Sequence, residues 1–91
     1  MRFYLKNPAS LVDYEIDWSL PAGRTVVASD WMVEPTEPGG LAVDAAELAG
    51  ARAVARIAGG RIGHVYSLSN RATFADGRSE VRTITLRVEN G

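Results

Sequence analysis

Residues 63–88 read GHVYSLSNRATFADGRSEVRTITLRV. In the first half, Tyr66, Leu68, Ala72 and Phe74 share one parity, while Val65, Ser67, Ser69, Arg71 and Thr73 share the other. The second half repeats the pattern, with Ile84, Leu86 and Val88 set against Thr83, Thr85 and Arg87. Successive side chains of a strand point to opposite faces, so this period of two predicts two strands, each with one face on a core. Asp76-Gly77 between them suits a tight hairpin turn, because glycine accepts positive φ without steric cost. Asn70 falls on the parity of Tyr66 and Leu68, which predicts a buried amide in need of hydrogen-bond partners.

Upstream, DYEIDW at residues 13–18 alternates Asp13, Glu15 and Asp17 with Tyr14, Ile16 and Trp18. Acids two residues apart on one strand stand roughly 6.5–7 Å from each other. Calcium takes six to eight oxygens at about 2.3–2.6 Å, so one strand cannot enclose it. The alternation therefore predicts a strand over residues 11–18, with an acidic face toward solvent, a partner or arginines of a neighbouring strand. Asn7-Pro8 predicts a turn before it, and Leu20-Pro21-Ala22-Gly23 a break after it. Residues 24–33, RTVVASDWMV, predict a further strand with a bulge at Asp30, and the two prolines and two glycines of residues 34–40 predict a loop.

The middle reads two ways. Asp44-Ala45-Ala46-Glu47 has the spacing of a capping box, and the alanines up to Ala58 favour a helix. The apolar stripe of that helix is poor, with Gly50 at its centre, and two short strands around Gly50 join naturally to Gly59-Gly60. With strands on both sides and turns every eight to twelve residues, the expected fold is all-β. It is an immunoglobulin-like antiparallel β-sandwich of about seven strands, a single domain over residues 1–91 with a short N-terminal arm at 1–8. Its expected core is Tyr14, Ile16, Trp18, Trp31, Tyr66, Leu68, Ile84 and Leu86.

Ninety-one residues suffice for one small core. The chain has no cysteine, so disulfides and thiolate metal sites are excluded. No apolar run reaches the length of a membrane span, and the N-terminal apolar run is too short for a signal peptide. The formal net charge of −1 hides a split: residues 1–50 carry −5 and residues 51–91 carry +4. The arginines of the second half are dispersed rather than clustered with stacking aromatics, which argues against nucleic acid.

Chemistry finds little purchase. His64 is the only histidine, which makes a weak transition-metal set. Ser67 or Ser69 with His64 and Asp76 does not make a catalytic triad, since both serines lie mid-strand on the parity opposite His64. Gly59-Gly60-Arg61-Ile62-Gly63 lacks the Lys-Ser/Thr of a phosphate loop. Trp18, Trp31 and Tyr66 are expected as sandwich core, the tyrosine hydroxyl bonded to nearby backbone. The expectation is a non-enzyme that uses neither metal nor cofactor.

KNPASLVDYEIDWS (6–19), Gly23, VVASDWMV (26–33) and the stretch from Gly59 to Val88 together resemble small phage virion proteins described as fibre–tail adaptor or head–tail structural proteins. The resemblance is strongest at Asp13-Tyr14, Asp17-Trp18-Ser19, Gly63, Tyr66, Asn70, Gly77-Arg78 and Arg82. This chain departs from it in its alanine-rich middle, 42–58, and in Asn7, where the family often has Asp. The resemblance implies a structural protein of the virion, made in the host cytoplasm and present in many copies. Its partners would be tail, neck, capsid or fibre subunits, with neither nucleic acid nor membrane involved. A capsid decoration protein is the nearest alternative. A carbohydrate-binding module is another, and would show Trp18 or Trp31 exposed on a flat face. Arg2, Phe3, Tyr4 and Leu5 precede the Asn7-Pro8 break and are the candidate partner-binding arm. Attraction between the acidic and Arg-rich halves would make assembly salt-sensitive.

Overall fold

A computed structural model describes residues 3–19 and 24–90. Seven strands run through them: β1 Phe3–Lys6, β2 Val12–Asp17, β3 Val26–Glu34, β4 Leu41–Ala49, β5 Arg52–Gly59, β6 Val65–Phe74 and β7 Ser79–Val88. They form a sandwich of a four-stranded sheet in the order β1-β7-β6-β3 and a three-stranded sheet in the order β2-β5-β4. The predicted break at residues 20–23 and Arg2 of the predicted arm lie outside the described residues.

The sheets are antiparallel with one correction. β1 runs parallel to β7, with Phe3 opposite Thr85 and Lys6 opposite Val88. The cause is connectivity: the turn at Asn7-Pro8 carries the chain across to the other sheet, where β2 pairs with β5. β1 is thereby left beside a strand that runs in its own direction. Residues 3–6 of the predicted arm thus pair with the chain's own sandwich.

The alanine-rich middle is two strands. β4 and β5 pair from Leu41 opposite Gly59 to Ala49 opposite Arg52, and Gly50 turns between them at φ 62°. Ala53 and Ala55 are fully buried, and the rings of Trp18, Tyr14 and Tyr66 belong to the clusters they sit in. Small residues beneath large rings let two sheets interdigitate, a demand that overrides helix propensity.

The bulge of β3 lies at Val27 rather than at Asp30. Val26 pairs with Phe74 and Ala28 with Thr73, so Val27 is the extra residue, while Asp30 sits regularly opposite Arg71. The insertion puts Val26 on the core and leaves Val27 and Ala28 exposed, switching the parity of the strand.

The core has two clusters. One holds Tyr14, Leu41, Ala55, Ile57, Tyr66, Leu68, Ile84, Leu86 and Val88, and the other Ile16, Trp18, Ala53, Ala72 and Phe74. Trp31 is only half-buried and packs against both. Asn70 is fully buried: its Oδ1 accepts Trp18 Nε1–H at 2.8 Å, and its amide donates to Ser29 Oγ at 2.8 Å and to the Asp30 carbonyl at 3.2 Å. One amide therefore joins β3, β6 and the end of β2, and it satisfies the indole N–H that burial would otherwise penalise by about 1–3 kcal/mol.

Candidate partner interface

β7 has ten residues, and among the described residues β1 pairs with it only from Thr85 to Val88, so none of them pairs with the outer edge of Ser79–Ile84. On the same side of the sandwich, β2 is the last strand of its sheet. Between these edges runs a groove of about 980 Å³, whose lining includes Tyr4, Tyr14, Ile16, Asp17, Arg82 and Ile84. Unpaired edges offer N–H and C=O groups to an added strand, and proteins guard them with charges or cover them with a partner.

The charged guard is visible here. Glu80 and Arg82 share the inward parity of Ile84. Arg82 lies over the Trp18 ring at 4.4 Å and donates Nη1–H to the Asp17 carbonyl at 2.8 Å. Arg24 lies over the Phe74 ring at 4.3 Å and pairs with Glu80. These cations cap the open end of the core with charge.

The acids of DYEIDW stand on the outer face of the three-stranded sheet. Asp13 accepts from Arg56 Nε at 3.1 Å, and Glu15 lies 3.6 Å from Arg52, both partners being on neighbouring β5. The hydrogen bond from Arg56 to Asp13, and then the acid's charge, raise the guanidinium's pKa. Asp17 accepts the Ser19 backbone N–H at 2.8 Å, and this bond foremost lowers its pKa. Asp44 and Glu47 add to the same exposed face, which carries five acids against Arg52 and Arg56. The split along the sequence thus becomes one acidic sheet face, with most arginines drawn into pairs.

At the opposite end of the strands, Lys6 is buried and donates to the carbonyls of Asn7 at 3.0 Å and Gly59 at 2.8 Å, tying β1 to β5 across the sandwich. Burial lowers its pKa. The Tyr66 hydroxyl accepts the Arg61 N–H at 3.0 Å and donates to Glu37 Oε1 at 2.6 Å. His64 Nδ1 lies 2.7 Å from the same oxygen. The bond from Tyr66, and after it that from His64, hold the Glu37 carboxyl below the usual carboxylate range. This cluster fastens the 35–40 loop to the 60–64 loop.

Of the candidate arm, Tyr4 is half-buried, its ring edge-on to Tyr14 at 5.6 Å, and Leu5 is 66% exposed. Tyr14, Ile16, Trp18, Tyr66, Leu68, Ile84 and Leu86 are all buried. His64, Ser69 and Asp76 are not brought together: His64 meets Glu37, Ser69 shares a hydrogen bond with Thr83, and Asp76 accepts the Arg78 N–H. Lys6, Glu37 and the Arg24–Glu80 pair escaped sequence reading. Their partners lie 53, 29 and 56 residues away, and a lysine is almost never buried without an acid.

A family model described as podophage GP4 fiber-tail adaptor protein gp77 matches residues 6–87. The chain belongs to that family. No curated protein matches the chain. Set against the structure, the residues that carry the resemblance to the adaptor family are mainly those that hold the sandwich. Asp17, Trp18, Ser19, Asn70 and Arg82 form one bonded group. Gly63 donates its N–H to Val88, and Gly77 turns the β6–β7 hairpin at φ 89°. The residues of the resemblance thus specify a framework, with open strand edges and charged faces around it.

Proposed function

We propose that this chain is a non-enzymatic structural subunit of a podophage virion that joins a fibre to the tail through contacts with neighbouring virion proteins. The observation that carries the reading is the family match across residues 6–87. The chain works in many copies, without cofactor, and its contact surfaces are the open edges beside β1 and β2 with the exposed Leu5. A role without nucleic acid is supported by the arginines, since Arg24, Arg52, Arg56, Arg78 and Arg87 each have a carboxylate partner. The immunoglobulin type belongs to the same reading. What supports it is the order β2-β5-β4 against β7-β6-β3, which follows the B-E-D and G-F-C pairing of that sandwich. A carbohydrate platform loses its basis: Trp18 is 1% exposed and Trp31 packs against both core clusters.

The test is genetic and structural. Particles made without this chain should have filled heads and tails but no fibres, and supplying the chain should restore them. Fibres on particles that lack it would overturn the reading.

A further inference from the structure

The free edges of the sandwich differ in charge. β2 carries Asp13, Glu15 and Asp17, β3 carries Asp30 and Glu34, and β4 carries Asp44 and Glu47. None of these strands carries a base, so a second copy adding antiparallel to the same edge gains no ion pair, and centred anywhere from Asp13 to Asp17 of β2 or on Met32 of β3 it sets acid beside acid, which destabilises a ladder. The open half of β7 is different. It reads Ser79-Glu80-Val81-Arg82-Thr83, with one acid and one base placed symmetrically about an apolar residue. Val81 is 52% exposed, and the Glu80 side chain is 52% exposed even in its pair with Arg24.

We propose that two copies of this chain associate through this half of β7, pairing antiparallel about a two-fold axis at Val81. Residues opposite each other then number the same distance either side of the axis. Val81 meets Val81 of the second copy, Glu80 meets its Arg82, and Ser79 meets its Thr83. Each ion pair occurs twice, as an isologous contact requires. The pairing joins two four-stranded sheets into one and closes the backbone edge that β1 leaves open. The inward charges that repel an arbitrary strand become the feature that selects a second copy. Among the described residues β1 does not obstruct the ladder, since its pairing runs from Thr85 to Val88. Five residues bury far less than the roughly 800 Å² per partner of a standard interface, so the dimer is weak in dilute solution and forms where an assembly concentrates its subunits. The inference does not rest on the adaptor reading and can fail without it.

The chain has no cysteine, which makes the test clean. Directly opposed strand residues have Cα atoms about 4.5–5.5 Å apart, within disulfide reach. Val81→Cys should give a covalent dimer with oxidised glutathione as oxidant, while Val65→Cys, equally on an exposed outer face, should stay monomeric. Sedimentation of the native chain up to millimolar concentration should show reversible dimerisation. Glu80→Arg or Arg82→Glu should weaken it at least tenfold, and the two together should restore it. Equal cross-linking at both positions, a strictly monomeric native chain, or failure of the double swap to restore association in a folded protein would each overturn the proposal. Thermal melts establish folding, and if a single swap does not fold, the cross-linking comparison decides alone because both of its sites are exposed.

Discussion

The β6–β7 and β4–β5 hairpins are ladders of similar length held by different forces. In the first, Tyr66, Leu68, Asn70, Ala72, Phe74, Ile84, Leu86 and Val88 are buried on the inner parity, and only Glu80 and Arg82 at the open end of β7 are exposed there. In the second, β5 buries Ala53, Ala55 and Ile57, but of β4 only Leu41 is buried and residues 44–49 are exposed on both faces. The difference teaches where this small domain keeps its stability. β6 with the Ile84–Val88 half of β7 is the core itself, whereas the exposed residues 44–49 of β4 follow by backbone pairing to β5. A strand so supported is free to meet other surfaces but contributes little to holding the fold.

The sharpest way to break that contrast is to remove what bridges the two hairpins. Trp18 packs in one cluster with Phe74 of β6 and Ala53 of β5. Trp18→Ala should cost about 3–5 kcal/mol, close to the whole stability of a domain this size at roughly 5–10 kcal/mol. Urea denaturation measures it, and a loss below about 1 kcal/mol would mean the bridge is not there. Next comes a matched pair of leucines. Leu86→Ala, at a fully buried site, should cost about 2–5 kcal/mol, and Leu48→Ala, 36% exposed on β4, less than about 1 kcal/mol. Equal losses would erase the distinction between the hairpins. Asn70→Ala strands the Trp18 indole N–H and should cost about 1–3 kcal/mol by the same denaturation.

The smallest effect concerns pH. Glu37 titrates below its ordinary value of 4.5 in the fold, so its contribution is complete above that pH and is lost as pH falls through the lower folded value. Melting temperature followed from pH 7 to pH 2 should therefore drop in acid, and Glu37→Gln should flatten part of that drop without changing the order of the two hairpins. An unchanged profile in the variant would remove Glu37 from the balance.

The contrast also explains what could be read from the amino-acid sequence. The β6–β7 hairpin is legible because Tyr66, Leu68, Ile84 and Leu86 repeat at period two around Asp76-Gly77. DYEIDW is legible for the same reason. The alanines of β4 and β5 are not, because alanine fits a helix by propensity and a strand when large rings above it need room. The bulge at Val27 leaves no mark in residues 24–33, since either valine suits either face. The edge is legible only in part. That Asp13, Glu15 and Asp17 face outward follows from parity, but the short reach of β1, which exposes half of β7, depends on a pairing 82 positions apart (Phe3 with Thr85). The buried Lys6 and the ring-stacked Arg82 likewise follow from tertiary contacts that local pattern does not encode.

Native-state hydrogen exchange on the intact chain tests the lopsided core most directly. Amides of β6 and of Ile84–Val88 in β7 that pair with each other should exchange only through global unfolding, with protection equal to the stability from denaturation. Those of residues 44–49 in β4 should exchange through local opening, at free energies several kcal/mol lower and nearly independent of Leu86→Ala. Protection in β4 equal to that in β6, falling in step with it in the variant, would contradict the account.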